Sequence, residues 1–160
     1  MEVLNDFNTS VQKALEEIDP KWRSYPGLII CGTHNPHNTE EMINLIKRAR
    51  EENIPFLGIC FGHQLSAIEY SRNVLGIKDA TSEEFGEGTF VVIKLPELNV
   101  GFHEGESYWN NYVVDPDIQE RWIKKENFFT CQFHPEYQSS KDKPHPLLLK
   151  FLDYAKKMAV

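Results

Sequence analysis

Cysteine and basic residues are both scarce in this sequence of 160 residues. The three cysteines, Cys31, Cys60 and Cys131, are widely spaced and form no Cys-x-x-Cys pair, so neither a disulfide framework nor a metal site is indicated. Lys and Arg number 17 against 24 Asp and Glu, which gives a net charge of −7. Because nucleic acids and anionic membranes are bound by clustered cations, we expect neither as a partner.

Long apolar runs are also absent. No stretch approaches the roughly 20 apolar residues that cross a bilayer, and the opening MEVLNDFNTS lacks the basic-then-apolar pattern of a leader. We therefore expect a cytoplasmic protein with no membrane contact. Linkers, low-complexity segments and repeats are missing as well, which predicts a single domain over residues 1–160 that buries a core without structural metal.

Amphipathic periodicity predicts four helices, over residues 9–18, 39–53, 62–74 and 146–158. Thr9 or Ser10 is the expected N-cap of the first. The short apolar runs GLIICG and FLGIC precede the second and third helices and are typical of strands buried on both faces, and residues 1–6 are a candidate for a further strand. Strands that alternate with helices predict a parallel sheet with right-handed crossovers.

The second half of the chain has a different pattern. GTFVVIKL, NVGFHE, NNYVVD and FFTCQF are short β-rich runs with no helix predicted between them. We therefore expect small antiparallel additions to a mostly parallel α/β fold, before the chain returns to the main sheet.

Cys60 lies between two glycines in GICFG, at the end of a predicted strand and the start of a predicted helix. Ligands of open α/β sheets gather at the carboxyl ends of strands. Gly58 and Gly62 relieve the crowding of a tight strand-to-helix turn, as in a nucleophile elbow, and the positive end of the helix favours a thiolate. A packed, inert cysteine is the alternative, and this motif alone does not decide between them.

A second motif, QFHPE, supplies the partners that a nucleophilic cysteine needs. His134 and Glu136 are two residues apart, so on an extended segment their side chains point to the same side. A carboxylate there can fix the tautomer of the imidazole while the imidazole takes a proton from a thiol. By itself, a His-x-Glu pair is more simply explained as a surface polar pair.

Together, LGICFGHQ and QFHPE resemble the class-I, triad-type glutamine amidotransferases, and most closely the amidotransferase domain of CTP synthases. The resemblance extends over residues 27–85 and 108–155. It implies a flavodoxin-like three-layer sandwich that hydrolyses the side-chain amide of glutamine to glutamate and ammonia through a γ-glutamyl thioester, without a cofactor. It leaves two alternatives for the ammonia: either a separate ammonia-accepting synthetase is the partner, or none is made for transfer.

The resemblance also assigns the site residues. Cys60 would be the nucleophile, His134 the general base and then acid, and Glu136 the carboxylate that orients it. The remaining assignments are oxyanion donors from the backbone of Gly32 and Phe61, and contacts of Gln64 and Glu84 with the amino-acid end of glutamine.

The sequence departs from the family in three places. The oxyanion loop reads CGTHNPH, where the family has a run beginning Gly-Gly. Asn111, in ESYWNNY, falls where an arginine of CTP synthases holds the α-carboxylate, and a neutral amide makes a weaker bond to that group. The region between Phe85 and Phe129 is shorter than in CTP synthases, and no synthetase domain is present in these residues.

Several other polar and aromatic residues have simpler interpretations. His34 and His37 fit a polar loop near the active site better than a metal pair, and the FHEGES stretch fits a turn. Cys31 and Cys131 fit packed positions. Tyr108 and Trp109 fit either the pocket wall or the core.

Two alternatives to glutamine hydrolysis stay open. The missing arginine favours hydrolysis of another amide or γ-glutamyl compound. The short middle region and the altered oxyanion loop favour a non-catalytic binding or regulatory module, in which Cys60 would react no faster than the other two cysteines.

Overall fold

A four-stranded parallel sheet lies at the centre of the computed structural model, which describes residues 1–159. The strand order is β1-β2-β3-β7, and the strands are β1 (Glu2–Leu4), β2 (Leu28–Ile30), β3 (Phe56–Ile59) and β7 (Phe128–Cys131). Every residue of β2 and β3 is buried, because helices cover both faces of the sheet. The predicted parallel sheet is confirmed.

The helices form two layers around this sheet. Helices α1 (Thr9–Ile18) and α5 (Pro146–Met158) pack on one face through residues such as Leu15 and Phe151. Helices α2 (Thr39–Glu51) and α3 (Phe61–Asn73) pack on the other through residues such as Ile46 and Leu65. The predicted three-layer α/β fold is therefore confirmed.

Two details at the helix ends differ from prediction. Helix α2 ends at Glu51 rather than residue 53, because the backbone of Asn53 has φ 58°, a left-handed conformation that ends a helix. The N-cap of α1 is Asn8, not Thr9 or Ser10. The side chain of Asn8 donates to the carbonyl of Asn5 rather than capping the helix.

A second, three-stranded sheet is inserted between β3 and β7. It contains β4 (Ala80–Ser82), β5 (Thr89–His103) and β6 (Glu106–Val114), in that order. Strands β5 and β6 form an antiparallel hairpin, while β4 and β5 are parallel. The turn is Glu104-Gly105, both with positive φ, which is the backbone of a two-residue type I′ hairpin turn.

The β-rich second half was predicted correctly in kind but not in detail. GTFVVIKL and NVGFHE belong to one strand, β5, whose register shifts between Lys94 and Asn99. FFTCQF is not an antiparallel addition, because its first four residues form β7 beside β3 in the parallel sheet. A short helix, α4 (Pro116–Arg121), lies between NNYVVD and FFTCQF, where no helix was predicted.

Helix α3 is buried from Phe61 to Ser71, since it lies between the two sheets. Its polar side chains therefore need partners inside the protein. His63 has Thr130 and Gln119 on its two ring nitrogens. The carboxylate of Glu69 accepts a bidentate pair of hydrogen bonds from the guanidinium of Arg50 in α2, with N–O distances of 2.7 and 2.9 Å.

No helix within residues 1–159 is long and apolar enough to cross a membrane.

Candidate active site

A cavity of about 460 Å³ opens at the carboxyl ends of β2, β3 and β7. This is the edge at which ligands of parallel α/β sheets bind. The hairpin strand β6 forms its far wall. The lining residues are Phe7, Gly32, Thr33, His34, Cys60, Phe61, Gln64, Glu84, Trp109, Asn110, Asn111, Tyr112, His134 and Tyr137.

Cys60 occupies a sharp turn between β3 and α3. Its backbone angles are φ 55° and ψ −98°, a sparsely populated conformation for a residue with a side chain. Gly62 makes the turn possible, because a Cβ there would lie 2.2 Å from the carbonyl oxygen of Ile30. A Cβ on Gly58 would lie 2.9 Å from the backbone of Gly62. Both glycines are therefore required by close packing, as GICFG predicts.

The sulfur of Cys60 faces the cavity between two polar groups. It lies 3.7 Å from the carbonyl oxygen of Trp109 and 3.5 Å from the side-chain nitrogen of Gln132. An N–H donated to sulfur stabilises the thiolate over the thiol. Gln132 is a neighbour that sequence reasoning missed, although it is the first residue of the QFHPE motif.

His134 and Glu136 form the pair that the sequence predicted. The Nδ1 nitrogen of His134 lies 3.0 Å from Oε2 of Glu136, and both side chains are buried. They are not on an extended segment, because Pro135 begins a short 3₁₀ helix, Pro135–Gln138. The prediction that they meet therefore holds, but the reason given for it was wrong.

His134 also faces Cys60. A Cβ built on Gly32 would lie 3.6 Å from Cε1 of His134 and 3.8 Å from Cβ of Cys60, so all three residues meet at one point. Burial opposes a charge on the imidazole, but hydrogen bonding with Cys60 and Glu136 outweighs it and raises the pKa of His134 to about 10. At neutral pH, His134 in the resting site therefore carries a proton.

Contacts with the hairpin hold the His134 segment in place. The backbone N–H of His134 donates to the carbonyl of Ser107 at 2.7 Å, and the side chain of Gln138 donates to the hydroxyl of Ser107 at 2.7 Å. The ring of Tyr137 stacks on the imidazole, with centroids 5.2 Å apart. His134 is thus held by β6 as well as by the segment that follows β7.

The two predicted oxyanion donors line the same cavity. Phe61 is the first residue of α3, where helix geometry leaves the N–H without a partner in the helix. Gly32 lies just beyond β2, and its carbonyl accepts from the N–H of Phe7 at 3.2 Å. Across residues 1–159, no protein acceptor uses the N–H of either residue. Both groups are therefore available to a bound anion.

The predicted substrate-binding residues Gln64, Glu84 and Asn111 also line the cavity. Gln64 is engaged by the protein, since its side-chain nitrogen donates to the carbonyl of Tyr112 at 3.0 Å and to Gln132 at 3.2 Å. Through the second bond it holds Gln132, which in turn contacts Cys60, and its contact with substrate stays a prediction. Glu84 is half-buried and Asn111 is exposed to the cavity.

The other cysteines are buried, and burial raises the pKa of the Cys31 and Cys131 thiols well above the usual range. They are packed residues, as predicted. Of the two aromatics left open, Trp109 lines the cavity, whereas Tyr108 packs edge-on against Phe133.

His34 and His37 lie in one loop, and the FHEGES stretch forms another. His34 lines the cavity and packs edge-on against Phe7, while His37 contacts the carbonyl of Asn35. FHEGES forms the hairpin turn, as predicted. Within the described residues 1–159, no group of three or more His, Cys, Asp or Glu side chains is placed to hold a metal ion.

Comparison with known proteins identifies the family. The family model described as "Glutamine amidotransferase class-I" matches residues 4–123. This chain belongs to that family. The predicted resemblance and the amidotransferase type of enzyme are thereby confirmed, while the match ends before His134 and leaves the individual site residues as predictions.

Curated relatives of this amidotransferase chain include CTP synthases. The CTP synthase of Methanoregula boonei is 32% identical over an alignment 180 residues long, gaps included, which covers 82% of this chain and 34% of that protein. The CTP synthase of Methanothrix thermoacetophila is 33% identical over 195 residues, covering 89% and 35%. This chain thus spans about a third of the length of the relatives it matches. Both alignments are longer than 160 residues, so these relatives have segments that this chain lacks.

A solved structure has the same fold. The glutaminase domain of Trypanosoma brucei CTPS, with bound acivicin, superimposes with a TM-score of 0.76 at 22% identity, covering 98% of this chain and 94% of that one.

Proposed function

We propose that this amidotransferase chain hydrolyses the side-chain amide of glutamine, or of a related compound, with Cys60 as nucleophile, His134 as acid and base, and Glu136 as the group that orients His134. The arrangement that supports this most directly is the meeting of Cys60 and the His134–Glu136 pair beside Gly32 at the mouth of one cavity. Geometry of this kind defines a triad whatever the order of its residues in the chain.

The first half of the reaction forms a thioester. In the resting site the thiol proton already lies on His134, and the Cys60 thiolate attacks the amide carbon. The resulting oxyanion is stabilised by the backbone N–H groups of Gly32 and Phe61. The carbon–nitrogen bond then breaks while His134 gives its proton to the departing nitrogen, which leaves as ammonia. The raised pKa of His134, about 10, keeps that proton available at neutral pH.

The second half returns the enzyme to its starting state. Neutral His134 takes a proton from water, whose oxygen attacks the thioester carbon. The carbon–sulfur bond breaks, the acid product is released, and Cys60 is regenerated beside protonated His134. Glu136 holds Nδ1 throughout, so that the other ring nitrogen faces the reacting atoms.

The test is release of glutamate and ammonia from glutamine, together with labelling by a glutamine-mimicking diazoketone. We expect label on Cys60 alone, no turnover by Cys60→Ala, and turnover retained by Cys131→Ala, which removes a buried thiol outside the cavity. No product from glutamine or related amides, together with no label on Cys60, would refute the proposal.

The ammonia acceptor is also part of the proposal. The relatives are named CTP synthases, and this chain spans about a third of their length. We propose that an ammonia-accepting synthetase lies outside these 160 residues, and that the pair works in the cytoplasm, where three free cysteines stay reduced. Glutaminase activity that rises when the synthetase is added would support this pairing.

A second candidate is a binding or regulatory module on the same fold. The altered loop CGTHNPH, which places His34 in the cavity wall, favours it. In that case iodoacetamide would modify Cys60 no faster than ordinary exposed thiols, and no amide would be turned over.

A further inference from the structure

The cavity wall carries an unusual set of charges for a site that binds an amino acid. None of its lining residues is Lys or Arg, and Glu84 is its sole carboxylate. An α-amino acid such as glutamine brings both an ammonium and a carboxylate. The wall can therefore pair with the ammonium but holds no permanent cation for the carboxylate.

Within residues 1–159, no side chain forms an ion pair with the carboxylate of Glu84. Burial alone raises its pKa, and no neighbouring cation acts against that effect. By contrast, the carboxylates of Glu69 and Glu40 are paired with Arg50 and Arg72. A half-buried, uncompensated carboxylate on a cavity wall attracts a cationic group and repels an anionic one.

The part of the wall that strand β6 supplies is neutral and partly aromatic. Asn111 offers an exposed side-chain amide, which can bond a carbonyl or an amide but supplies no charge. Trp109 is half-exposed beside it, and an indole ring favours a cation over its face. His34 also lines the cavity. It is the wall residue outside the triad that can carry a positive charge, but only when protonated.

We propose that this site selects an amide substrate that presents an ammonium group and lacks a free carboxylate beside it. The inference rests on the proposed function and narrows its substrate class. The substrate is then a glutamine-type side-chain amide whose α-carboxyl is absent or is tied in an amide or peptide bond. Glu84 contacts the ammonium, and Asn111 contacts the uncharged carbonyl that replaces the carboxylate.

Binding to the Cys60→Ala variant tests this inference without requiring turnover. Three probes separate the charges: L-glutaminamide has the cation only, L-glutamine has both charges, and N-acetyl-L-glutamine has the carboxylate only. Calorimetry should give L-glutaminamide a Kd at least about tenfold below that of L-glutamine, with N-acetyl-L-glutamine the weakest. Equal or reversed affinities for the first two probes, or no binding of any, would overturn the inference.

Variants of the wall assign the preference to its residues. Asn111→Arg should shift the ratio of the two affinities at least about tenfold towards L-glutamine, because a guanidinium pairs with carboxylate. Asn111→Met, which has similar reach and no charge, should not produce this shift. Glu84→Gln should lower the affinity for L-glutaminamide and bring its Kd close to that of L-glutamine. A ratio unchanged in both Asn111→Arg and Glu84→Gln would contradict the assignment.

Turnover by the wild-type protein separates this inference from the proposed function. Faster hydrolysis of L-glutaminamide than of L-glutamine, by kcat/KM, supports both. Equal rates on both amides refute the substrate class and leave the triad chemistry standing. A binding preference without turnover of either amide, and without labelling of Cys60, refutes the triad chemistry and leaves the binding preference standing.

Discussion

At the residue scale, the position of the Cys60 sulfur depends on a short chain of hydrogen bonds between side-chain amides. Gln64 donates to Gln132, and Gln132 donates to the sulfur. Gln64 is itself held by the carbonyl of Tyr112 on the hairpin. The Cys60 sulfur, the proposed nucleophile, is therefore oriented by side chains that make no bonds to the substrate in the proposed reaction.

Replacing Gln132 should make the Cys60 sulfur less reactive. In Gln132→Leu, the sulfur loses an N–H that favours its thiolate form, so alkylation of Cys60 by iodoacetamide at pH 7 should slow several-fold. Gln12→Leu is the matched control, because Gln12 contacts Asn8 and Arg23 rather than the sulfur. An alkylation rate in Gln132→Leu equal to that of the wild type would count against this role.

The buried His63 makes the free energy of unfolding depend on pH. Burial, with a smaller effect of Lys124, lowers its pKa from 6.5 to about 3, so the unfolded chain takes up a proton that the folded protein does not. This contribution to stability is present above pH 6.5 and is lost as the pH falls towards 3, by up to about 1.4 kcal/mol per pH unit.

The His63→Gln variant removes that titration. Between pH 6.5 and 4, urea unfolding should show a smaller loss of stability in His63→Gln than in the wild type. His37→Gln, which changes an exposed histidine, should keep the wild-type slope. Parallel slopes for His63→Gln and the wild type would show that His63 does not titrate in this way.

At the scale of elements, the packing of α2 against α3 includes a buried ion pair. Glu69 is fully buried and accepts from Arg50 and from Asn73. Glu51 and Lys47 on α2 form a comparable pair that is about half exposed. The two pairs differ in burial, which decides the cost of breaking each one.

Removing one partner of the buried pair should be costly. In Glu69→Gln, the guanidinium of Arg50 is left without its counter-charge, and the free energy of unfolding should fall by about 3–5 kcal/mol. Glu51→Gln should cost about 1 kcal/mol or less, since its pair is exposed. Urea denaturation of both variants checks the contrast, and similar losses for the two would contradict it.

The elements that the sequence predicted are those with a strong local pattern. α1, α2, α3 and α5 have amphipathic or bounded apolar runs, and β2 and β3 are continuous apolar runs. α4 was missed because six residues with one buried side chain carry almost no periodic signal, although Asp115 caps it and Pro116 begins it. β5 was divided in two because its register shift falls around Pro96, a residue that normally interrupts a strand.

In the candidate site, too, local motifs were predictable and contacts between distant segments were not. Cys60, His134 and Glu136 were predictable because two short motifs carry them. The contacts of Gln132 and Ser107 were not, because they join segments that are 72 and 27 residues apart and have no spacing rule to reveal them.

At the scale of the whole molecule, the two sheets share one core. Val91, Val92 and Val114 of the hairpin sheet lie in the same apolar cluster as Ile30 and Phe56 of the central sheet. A shared core of this kind couples the unfolding of the parts that contribute to it.

We therefore expect the whole chain to unfold as one domain. Far-ultraviolet circular dichroism, which reports mainly the helices, and tryptophan fluorescence, which includes Trp109 on the hairpin, should give coincident urea transitions. Val92→Ala should lower both midpoints together. A hairpin transition at lower urea than the helical one would show that the inserted sheet is a separate unit.

The strand β6 has a consequence for how this protein can change over evolutionary time. Through Trp109 and Asn111 it supplies part of the cavity wall, and through Ser107 it holds His134, the proposed acid and base. A mutation that shifts the strand would alter both at once. New substrate preferences are therefore more accessible through side-chain replacements at positions such as Asn111, whereas insertions and deletions are tolerated best in the irregular part of β5, between Lys94 and Asn99.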